Sequence, residues 1–489
     1  MANSSALDSK TKAEEDFVAA LGHWAAGRRP LYEQLEEAIA GAIRRGELQV
    51  GRKLPTERRL VSLLRVSRTT IVAAYRALAV AGLVTRRQGS GTFVTPRVQP
   101  PQRERLPASV TVLHSMIDGD GDIVDLSMTG LGAEEIIRAD HLAAAAEHLA
   151  CLTTSPGYHP YGVPALRAAV AERLAEHGLA TAPEQLLITN GAQQALHLVA
   201  QLLVRSGDAV ALENPTYAGA LDVFTGCGAD LLALPTPASG ATGSRLRELR
   251  ARRPLALAYV MPTFHNPTGE VMPTETRREL AALAADGLWV VEDHALSSFP
   301  VERPTPPPLA GLGDSATVIT LGSLSKAIWG GLRIGWIRAA PAVVDRFARM
   351  KTVADLGTSV PSQALALALL ADFERVLAAH AAKLQASLDA ACDQFAAVLA
   401  EWEWTRPAGG HSIWLRLPRG DADAFVQVAL RHGVKVVSGS LLACDRSCAD
   451  YLRLQFLQEP GVVREGLARL ARAWEAFAAL EGRPRGVIV

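Results

Sequence analysis

The chain has 489 residues, of which 49% are hydrophobic and 20% charged, so it can fold and has room for about two to four domains. Lys and Arg together number 50, as do Asp and Glu, and the net charge of +0 excludes a nucleic-acid binder that is basic throughout. The five cysteines are too few, and odd in number, for a disulfide framework, which favours a reducing cytoplasm.

The charge is unevenly distributed. Residues 28–97 contain fourteen basic and five acidic side chains, a net charge of +9, and the remainder of the chain carries −9. A basic segment joined to an acidic body indicates a polyanion-binding domain attached to a domain of another kind. The first residues contain no apolar h-region and the apolar run at 364–371 is too short to span a bilayer, so we expect neither a secretion signal nor a membrane span.

The N-terminal segment has the pattern of three helices followed by a β-ribbon. Residues 1–27 are polar at first and weakly amphipathic around 17–24, and they are predicted to form an arm. Apolar side chains then recur every fourth residue over 31–43, and residues that open helices stand at Pro55 and Ser67. Two short β-rich runs flank a Gly-Ser-Gly tip. The pattern predicts a winged helix-turn-helix domain over residues 28–97.

Five residues of this domain are candidate DNA contacts. Arg58 opens the second helix, and Gly89 lies in the tip of the ribbon. Ser67, Arg68 and Thr70 stand at the start of the third helix, where hydroxyls and a guanidinium can reach a groove and the helix dipole favours phosphate. The alternative is an arginine-rich face that is merely solvated.

Four segments together resemble the GntR-type bacterial winged-helix domain, and they are 51–58, 66–70, 75–78 and 89–94. The resemblance implies double-stranded DNA as a partner, contacted through Arg58, Ser67 and Arg68. The chain departs from the family at two positions. Arg65 stands in a turn that usually carries glycine, at a cost of about 1 kcal/mol if that residue is left-handed, and Val72 stands where some relatives have arginine.

The composition changes beyond this domain. Prolines and a Gly-Asp run predict a linker over residues 98–122. Over residues 123–489, short apolar runs alternate with Ala-rich helices, which predicts an α/β fold with a mostly parallel central sheet, helices on both faces and a smaller α+β subdomain at its end. The predicted strands of the sheet are 186–189, 209–213, 256–261, 288–292, 318–321 and 334–338.

The strongest chemical signal is a lysine that follows a predicted buried strand. Lys326 ends the run Gly322-Ser-Leu-Ser-Lys, and Arg333 follows in a Gly-rich turn. A phosphate-bearing aldehyde needs an amine that forms a Schiff base and polar groups that hold its phosphate. Ser323, Ser325 and Arg333 are suitable phosphate ligands.

Further polar residues follow other predicted strands, where ligands bind in open α/β sheets. Tyr217 can stack on a pyridine ring, Asn266 can donate to the phenolic oxygen of that ring, and Asp293 can keep its nitrogen protonated. Three more residues open a helix whose backbone N–H groups can hold phosphate, namely Gly191, Ala192 and Gln193.

This set, in this order, resembles the fold-type I aminotransferases of class I/II, which bind pyridoxal 5′-phosphate. The resemblance covers residues 123–489 and implies that Lys326 is the catalytic Schiff-base lysine, with the other residues in the roles given above. It also implies that Arg453 binds the α-carboxylate of an effector; an ordinary surface ion pair is the alternative. Tyr158 matches a tyrosine that reaches the cofactor phosphate of a neighbouring subunit, and Tyr161 competes for that role.

One departure concerns the residues after Asp293. Such enzymes place a tyrosine two or three residues beyond the aspartate, but here the run is Asp293-His-Ala-Leu-Ser297. The missing phenol is expected to slow the exchange of Lys326 for substrate. His294 either substitutes for the phenol or is a packed or solvated histidine. Cys444 and Cys448 lack a convincing second pair of ligands, so no metal site is expected.

A GntR-type domain, a linker and an aminotransferase-like body together resemble the MocR subfamily of bacterial transcription regulators. This resemblance implies a homodimer, often head-to-tail, that binds a DNA operator and senses a small amine, an amino acid or pyridoxal 5′-phosphate itself. We therefore expect a cytoplasmic regulator. The alternatives are a catalytically active aminotransferase with an accessory DNA-binding domain, and a regulator that has lost its cofactor. The missing tyrosine argues against physiological turnover, although half-reactions remain open.

Overall fold

The computed structural model describes residues 16–22, 24–25, 30–44, 47–49, 51–80, 83–87, 91–95, 123–128, 132–133, 136–297, 305–313 and 316–481. The chain divides into two compact units, Met1–Arg105 and Leu106–Val489, and each is described by itself. The predicted linker 98–122, most of the predicted arm 1–27 and Gly89 lie outside the described residues.

The N-terminal unit has the helices and strands of a winged helix-turn-helix domain, which confirms the predicted fold. Its elements are α1 (residues 16–21), α2 (Leu31–Arg44), α3 (Glu57–Leu64), α4 (Arg68–Val80), β1 (Val84–Arg87) and β2 (Gly91–Val94). The two strands are antiparallel, with Val84 opposite Val94. Thr56 caps α3 by accepting a hydrogen bond from the backbone N–H of Arg59, as a helix N-cap should.

The apolar residues that recur along the sequence form the core of this unit. Leu35, Ile39 and Leu78 are fully buried in one cluster. Phe17 and Leu21 of α1, which lie within the predicted arm, are buried in the same cluster. Part of the polar N-terminal segment therefore contributes to the core, because its two large apolar residues are one helical turn apart.

The turn between α3 and α4 contains the residue that replaces the family glycine. Arg65 has φ 54° and ψ 39°, in the left-handed region, and its N–H donates to the carbonyl of Val61 at 3.1 Å. A non-glycine residue in this conformation costs about 1 kcal/mol. The turn thus keeps the glycine-type geometry and exposes a guanidinium next to the start of α4.

The larger unit is built on a seven-stranded sheet. Its strands are β4 (Leu186–Thr189), β5 (Ala209–Glu213), β6 (Asp230–Leu234), β7 (Leu255–Val260), β8 (Val290–Asp293), β9 (Val318–Ser323) and β10 (Gly335–Arg338). They are arranged in the order β4-β10-β9-β8-β7-β5-β6. Neighbours pair in parallel except β10, which is antiparallel to both β4 and β9. The mostly parallel central sheet is confirmed. Strand β6, which the sequence pattern did not indicate, is an only partly buried edge strand.

Helices cover both faces of this sheet, as predicted. The helices of the larger unit are α5 (Ala139–Leu152), α6 (Pro164–Glu176), α7 (Ala192–Leu203), α8 (Ala218–Gly226), α9 (Thr242–Arg252), α10 (Thr274–Ala285), α11 (Leu324–Ala327), α12 (Pro341–Asp355), α13 (Val360–Leu370), α14 (Phe373–Val398), α15 (Ala422–Arg431) and α16 (Pro460–Glu481). Helices α7, α8 and α12 pack on one face, and α9 and α10 pack on the other.

A smaller α+β part completes the unit. Its strands are β3 (Val124–Asp125), β11 (Glu403–Trp404), β12 (Ser412–Arg416), β13 (Val434–Lys435), β14 (Val437–Ser438) and β15 (Tyr451–Gln455). Four of them form an antiparallel sheet of order β11-β12-β15-β14, and β13 pairs in parallel with β3. Helices α14, α15 and α16 share one apolar core with this sheet. In the described part of the chain, no helix is long and apolar enough to cross a membrane.

Candidate functional site

Lys326 lies in α11, the single helical turn that directly follows the buried strand β9. Its side chain is half-buried. Burial, together with the positive charges of Arg453 and Arg333, lowers the pKa of the Lys326 ammonium to about 8. A lysine with this pKa is partly neutral near pH 7, and only the neutral amine attacks a carbonyl. Lys326 is therefore suited to bond covalently to an aldehyde.

The residues around Lys326 form a cradle for an anion. The guanidinium of Arg333 donates to the carbonyl of Asn190 at 2.7 Å, directly before Gly191. Gly191 has φ 92°, and a Cβ added there would lie 3.1 Å from Nη2 of Arg333, so a side chain would be both strained and crowded. The hydroxyl oxygen of Ser325 is buried and has no hydrogen-bond partner within the described residues. An unpaired hydroxyl beside a guanidinium and a helix N-terminus fits a phosphate group.

Gly191, Ala192 and Gln193 form the loop that opens α7, and Asp355 fixes the residues on both sides of it. One carboxylate oxygen of Asp355 accepts from Asn190 Nδ2 at 2.9 Å and from Gln194 Nε2 at 2.7 Å. The ammonium of Lys351, which is fully buried, lies 2.9 Å from the other oxygen. Asp355 therefore holds the loop in place from the side of α12.

We expect Asp355→Ala to lower the stability of the larger unit by about 3 kcal/mol, since it leaves the buried ammonium of Lys351 unpaired. Burial acts to raise the pKa of Asp355, but hydrogen bonds from Lys351 and Gln194 hold that pKa below its ordinary value of 3.8. A carboxyl whose pKa is lowered in the folded chain stabilises the fold at pH values above its ordinary pKa. This contribution is lost as the pH falls through the lowered pKa of the folded chain. Thermal unfolding should thus show the largest gap between wild type and variant at neutral pH and a smaller gap in acid.

The matched control is Lys351→Met combined with Asp355→Ala, which removes the unpaired charge while keeping similar volume. The double variant is expected to regain most of the lost stability. An Asp355→Ala protein as stable as wild type at neutral pH would contradict a role for this pair.

Tyr217 lies next to the loop that opens α7. Its hydroxyl donates to Oε1 of Gln193 at 3.0 Å, and burial raises its pKa to about 12. A Cβ on Gly219 would lie within 2.6 Å of both Tyr217 and Gln193, so only glycine fits between them. The predicted stacking residue and the predicted phosphate loop are therefore in contact.

Asp293 ends β8 and is almost completely buried, with 2% of its surface exposed. Its Oδ1 accepts from the backbone N–H of Ala295, and its Oδ2 accepts from the hydroxyl of Tyr259, both at 2.8 Å. Burial raises the pKa of Asp293, and these two hydrogen bonds oppose the rise. The carboxylate is thus fixed in one orientation at the end of the sheet.

Asn266, in the loop after β7 of the central sheet, contacts Arg453 on β15 of the four-stranded sheet. Nη1 of Arg453 donates to Oδ1 of Asn266 at 3.4 Å, and Nη2 donates to the carbonyl of Ser127 at 2.8 Å. Arg453 is 5% exposed, forms no ion pair with a described residue, and has a buried Nε without a described partner. Burial lowers the pKa of its guanidinium to about 10. A buried guanidinium without a carboxylate partner is suited to bind the carboxylate of a ligand.

Two predicted alternatives can be compared by position. Tyr158 is 66% exposed, whereas the hydroxyl of Tyr161 donates to Asp345 at 3.0 Å. His294 contacts the buried carboxylate of Glu292 at 3.0 Å, so it is a packed histidine rather than a substitute phenol. Leu296 stands three residues after Asp293 and is buried.

Sequence reasoning did not find Tyr259, Asp355 or Lys351. Their partners are distant along the chain, and none of the three stands in one of the motifs that drew attention. A signal was present for Tyr259 and Lys351, because each is a polar residue in an otherwise apolar strand or helix face that must find a partner when buried.

The candidate DNA contacts of the N-terminal unit lie at the starts of two consecutive helices. Arg58 in α3 and Arg68 in α4 are both exposed. The Ser67 hydroxyl accepts from the backbone N–H of Thr70 at 3.1 Å and lies 2.8 Å from the Thr70 hydroxyl, so Ser67 also caps α4. A guanidinium at each of two capped helix starts can contact phosphates and base edges.

Comparisons with known families give two matches on the chain. Residues 130–470 match the family model described as aminotransferase class I and II. Residues 31–94 match the model described as bacterial regulatory proteins, gntR family. The two matches correspond to the two compact units.

Similar proteins include two whose names describe regulators. The uncharacterized HTH-type transcriptional regulator YisV of Bacillus subtilis is 31% identical over 471 residues, covering 91% of this chain and 92% of the relative. The probable rhizopine catabolism regulatory protein MocR of Rhizobium meliloti is 32% identical and covers 73% of this chain and 74% of the relative.

A solved structure also resembles the larger unit. LysN, an alpha-aminoadipate aminotransferase from Thermus thermophilus crystallised with N-(5′-phosphopyridoxyl)-L-leucine, superposes with a TM-score of 0.69. It is 31% identical, and the match covers 77% of this chain and 97% of LysN.

Proposed function

Since this chain belongs to the aminotransferase class I and II family and carries a gntR-family domain in the MocR-type arrangement, we propose that it is a transcription regulator that senses an amine, an amino acid or its cofactor. Its cofactor is pyridoxal 5′-phosphate. The N-terminal unit binds double-stranded DNA, and the larger unit binds the effector. The observation that carries the proposal is an amine with a lowered pKa, Lys326, close to the buried guanidinium of Arg453, which forms no ion pair with a described residue.

When bound, pyridoxal 5′-phosphate supplies an aldehyde that reacts with amines and a ring that withdraws electrons. In our proposal Lys326 donates the amine that holds it. Asp293 would keep a proton on the ring nitrogen, Asn266 would donate to the ring oxygen, and Tyr217 would offer its ring for stacking.

The phosphate is held by residues on two strand ends. Arg333 supplies a guanidinium, and the loop that opens α7 supplies backbone N–H groups. The hydroxyls of Ser323 and Ser325 complete the set, and the unpaired buried oxygen of Ser325 supports its inclusion.

An effector amine would compete with Lys326 for the aldehyde, while Arg453 binds the carboxylate of an amino acid. Such a ligand changes DNA binding only through different affinities for two conformations of the protein. A tenfold change in DNA affinity requires about 1.4 kcal/mol of difference between those states.

We further propose a homodimer, in a head-to-tail arrangement, in the cytoplasm. Three exposed apolar side chains support an interface on the larger unit: Tyr158 is 66% exposed, Val353 is 90% exposed and Leu356 is 54% exposed. Five free cysteines fit a reducing compartment. Two DNA-binding units per dimer predict paired half-sites and a steep dependence on salt.

The direct test is to titrate the full-length, cofactor-loaded chain with a panel of amines and amino acids while following the visible absorption of the cofactor and the affinity for DNA. At least one compound should change both. If no compound changes the absorption, the effector does not act on the cofactor bound at Lys326.

A second candidate function is transaminase turnover, which the likeness to LysN favours. Turnover of an amino acid and a keto acid at about 1–1,000 s⁻¹ would support it. The two places where these enzymes can have the tyrosine hold Ala295 and Leu296 here, and the lack of a phenol there supports the regulator instead.

We expect Arg453→Ala to leave the cofactor bound and to weaken the response to an α-amino acid by about 10- to 100-fold, the loss associated with a charged hydrogen-bonding partner. The response to the corresponding amine, which has the same side chain as the amino acid but no carboxylate, should stay within twofold of wild type. The measurement is the absorption titration with both compounds.

Arg416→Ala is the matched control. Arg416 lies on β12, on the same face as Trp414, which stands opposite Arg453, but Arg416 is exposed and pairs with Asp450 at 2.8 Å. This variant should respond as wild type does. An Arg453→Ala protein with a full response to the amino acid would place carboxylate recognition elsewhere.

A further inference from the structure

Tyr259 is a fully buried tyrosine in the middle of the central sheet. It lies on β7, next to β8, and its ring packs edge-on against Phe224 with centroids 6.0 Å apart. Apolar side chains of the sheet and of α7 and α8 surround it. A buried phenol needs a hydrogen-bond partner, because an unpaired hydroxyl in such surroundings is costly.

The partner of the phenol is Asp293. The register of β7 and β8 sets Tyr259 opposite Val291, and residues two apart in a strand share a face, so Asp293 lies on the face of Tyr259. The hydroxyl donates to Oδ2 at 2.8 Å, while Oδ1 accepts the N–H of Ala295. Two donors from different elements therefore determine the position of this carboxylate.

We propose that Tyr259 is a positioning residue for the cofactor, which keeps Asp293 ionised and oriented toward the pyridine nitrogen. The inference rests on the proposed cofactor role of Asp293 and adds a residue to which no role is assigned. A carboxylate pairs with a protonated ring nitrogen only while it is an anion, and a donated O–H stabilises the anion over the neutral acid.

The electrostatic surroundings make this donor important. Burial raises the pKa of Asp293, and the bond from Tyr259 is one of the few interactions that oppose the rise. The other titratable groups near this pair are His294, Tyr217 and Glu213, and none of them hydrogen-bonds Asp293. Without the phenol, Ala295 would be the one donor to this carboxylate among the residues that the structure describes.

The experiment uses the full-length chain after removal of its cofactor, titrated with pyridoxal 5′-phosphate. Tyr259→Phe keeps the ring and removes only the hydroxyl. We expect its dissociation constant to rise about tenfold, as for the loss of one hydrogen bond to a charged group. Tyr75→Phe is the matched control, because it removes an equally buried phenol, bonded to the carbonyl of Pro55 at 2.7 Å, from the N-terminal unit. Its dissociation constant should equal that of wild type.

Two further measurements separate positioning from general packing. In an Asp293→Asn background, Tyr259→Phe should weaken binding by less than twofold, because the charge on which it acts is gone. In the single variant, the affinity should fall at a higher pH than in wild type as the solution is acidified, because the pKa of Asp293 rises when a donor is lost. A merely structural role would lower the affinity by one factor at every pH.

The outcomes distinguish this inference from the proposed function. Wild-type affinity in Tyr259→Phe, full additivity with Asp293→Asn, or an unchanged pH midpoint would each overturn the positioning role and leave the proposed function intact. A wild-type chain that does not bind pyridoxal 5′-phosphate would overturn both.

Discussion

Lys326→Ala is expected to abolish covalent attachment of pyridoxal 5′-phosphate completely. The variant lacks the amine that bonds the aldehyde, whereas the phosphate ligands around Arg333 and the loop at Gly191 remain, so weaker noncovalent binding should persist. The visible absorption of the bound cofactor should disappear, and borohydride treatment followed by mass spectrometry should find no modified peptide. In wild type the modified peptide should contain Lys326.

The variant should also lose its response to effectors while it keeps its affinity for DNA, because Lys326 lies in the larger unit and the DNA contacts lie in the N-terminal unit. Lys383→Ala is the matched control, since Lys383 is a surface lysine of the same unit that pairs with Glu459. It should retain absorption and response. Trapping of the cofactor on a different lysine would contradict the assignment of Lys326 as the residue that bonds it.

Arg68→Ala is expected to weaken DNA binding by about 10- to 100-fold at physiological salt, the effect of removing a guanidinium from a groove. The measurement is a gel shift with a fragment that the wild-type chain selects from random-sequence DNA. If Arg68 contacts only phosphate, the loss will be uniform across sequences and the salt slope will fall by about 1. If it contacts a base edge, the preference at one position will relax.

Cofactor content and thermal stability of the larger unit should not change in this variant. Arg278→Ala removes an exposed guanidinium of the larger unit that pairs with Glu275, and it should bind the fragment as wild type does. Equal DNA affinity in Arg68→Ala and wild type would count against the winged-helix interface.

Most of the fold was predictable because local patterns determine it. The apolar runs that became β4, β5 and β9 are short and bounded by polar residues, and strand–helix alternation permits few topologies. Strand β6 escaped notice because an edge strand is only partly buried and therefore carries a weak pattern. The left-handed geometry of Arg65 was anticipated only because a glycine was expected there.

The candidate site was predictable where each residue stands at the end of a strand, and it was not predictable where two distant side chains meet. Asn190 and Asp355 are 165 residues apart, and Tyr259 and Asp293 are 34 residues apart. Such pairs depend on strand register and helix packing, which one sequence does not specify. His294 shows the converse: this histidine stands beside the predicted cofactor aspartate, Asp293, but pairs with Glu292 instead.

The antiparallel strand β10 lies between the loop that opens α7 and the turn that carries Lys326. Gly335 lies opposite Thr189 of β4 and opposite Ser323 of β9, just before the phosphate loop and the lysine turn begin. A Cβ on Gly335 would come within 2.6 Å of the backbone of Gly191. A displacement of β10 would therefore move the loop at Gly191 and the turn that carries Lys326 together, so this strand couples the position of the bound anion to that of the amine.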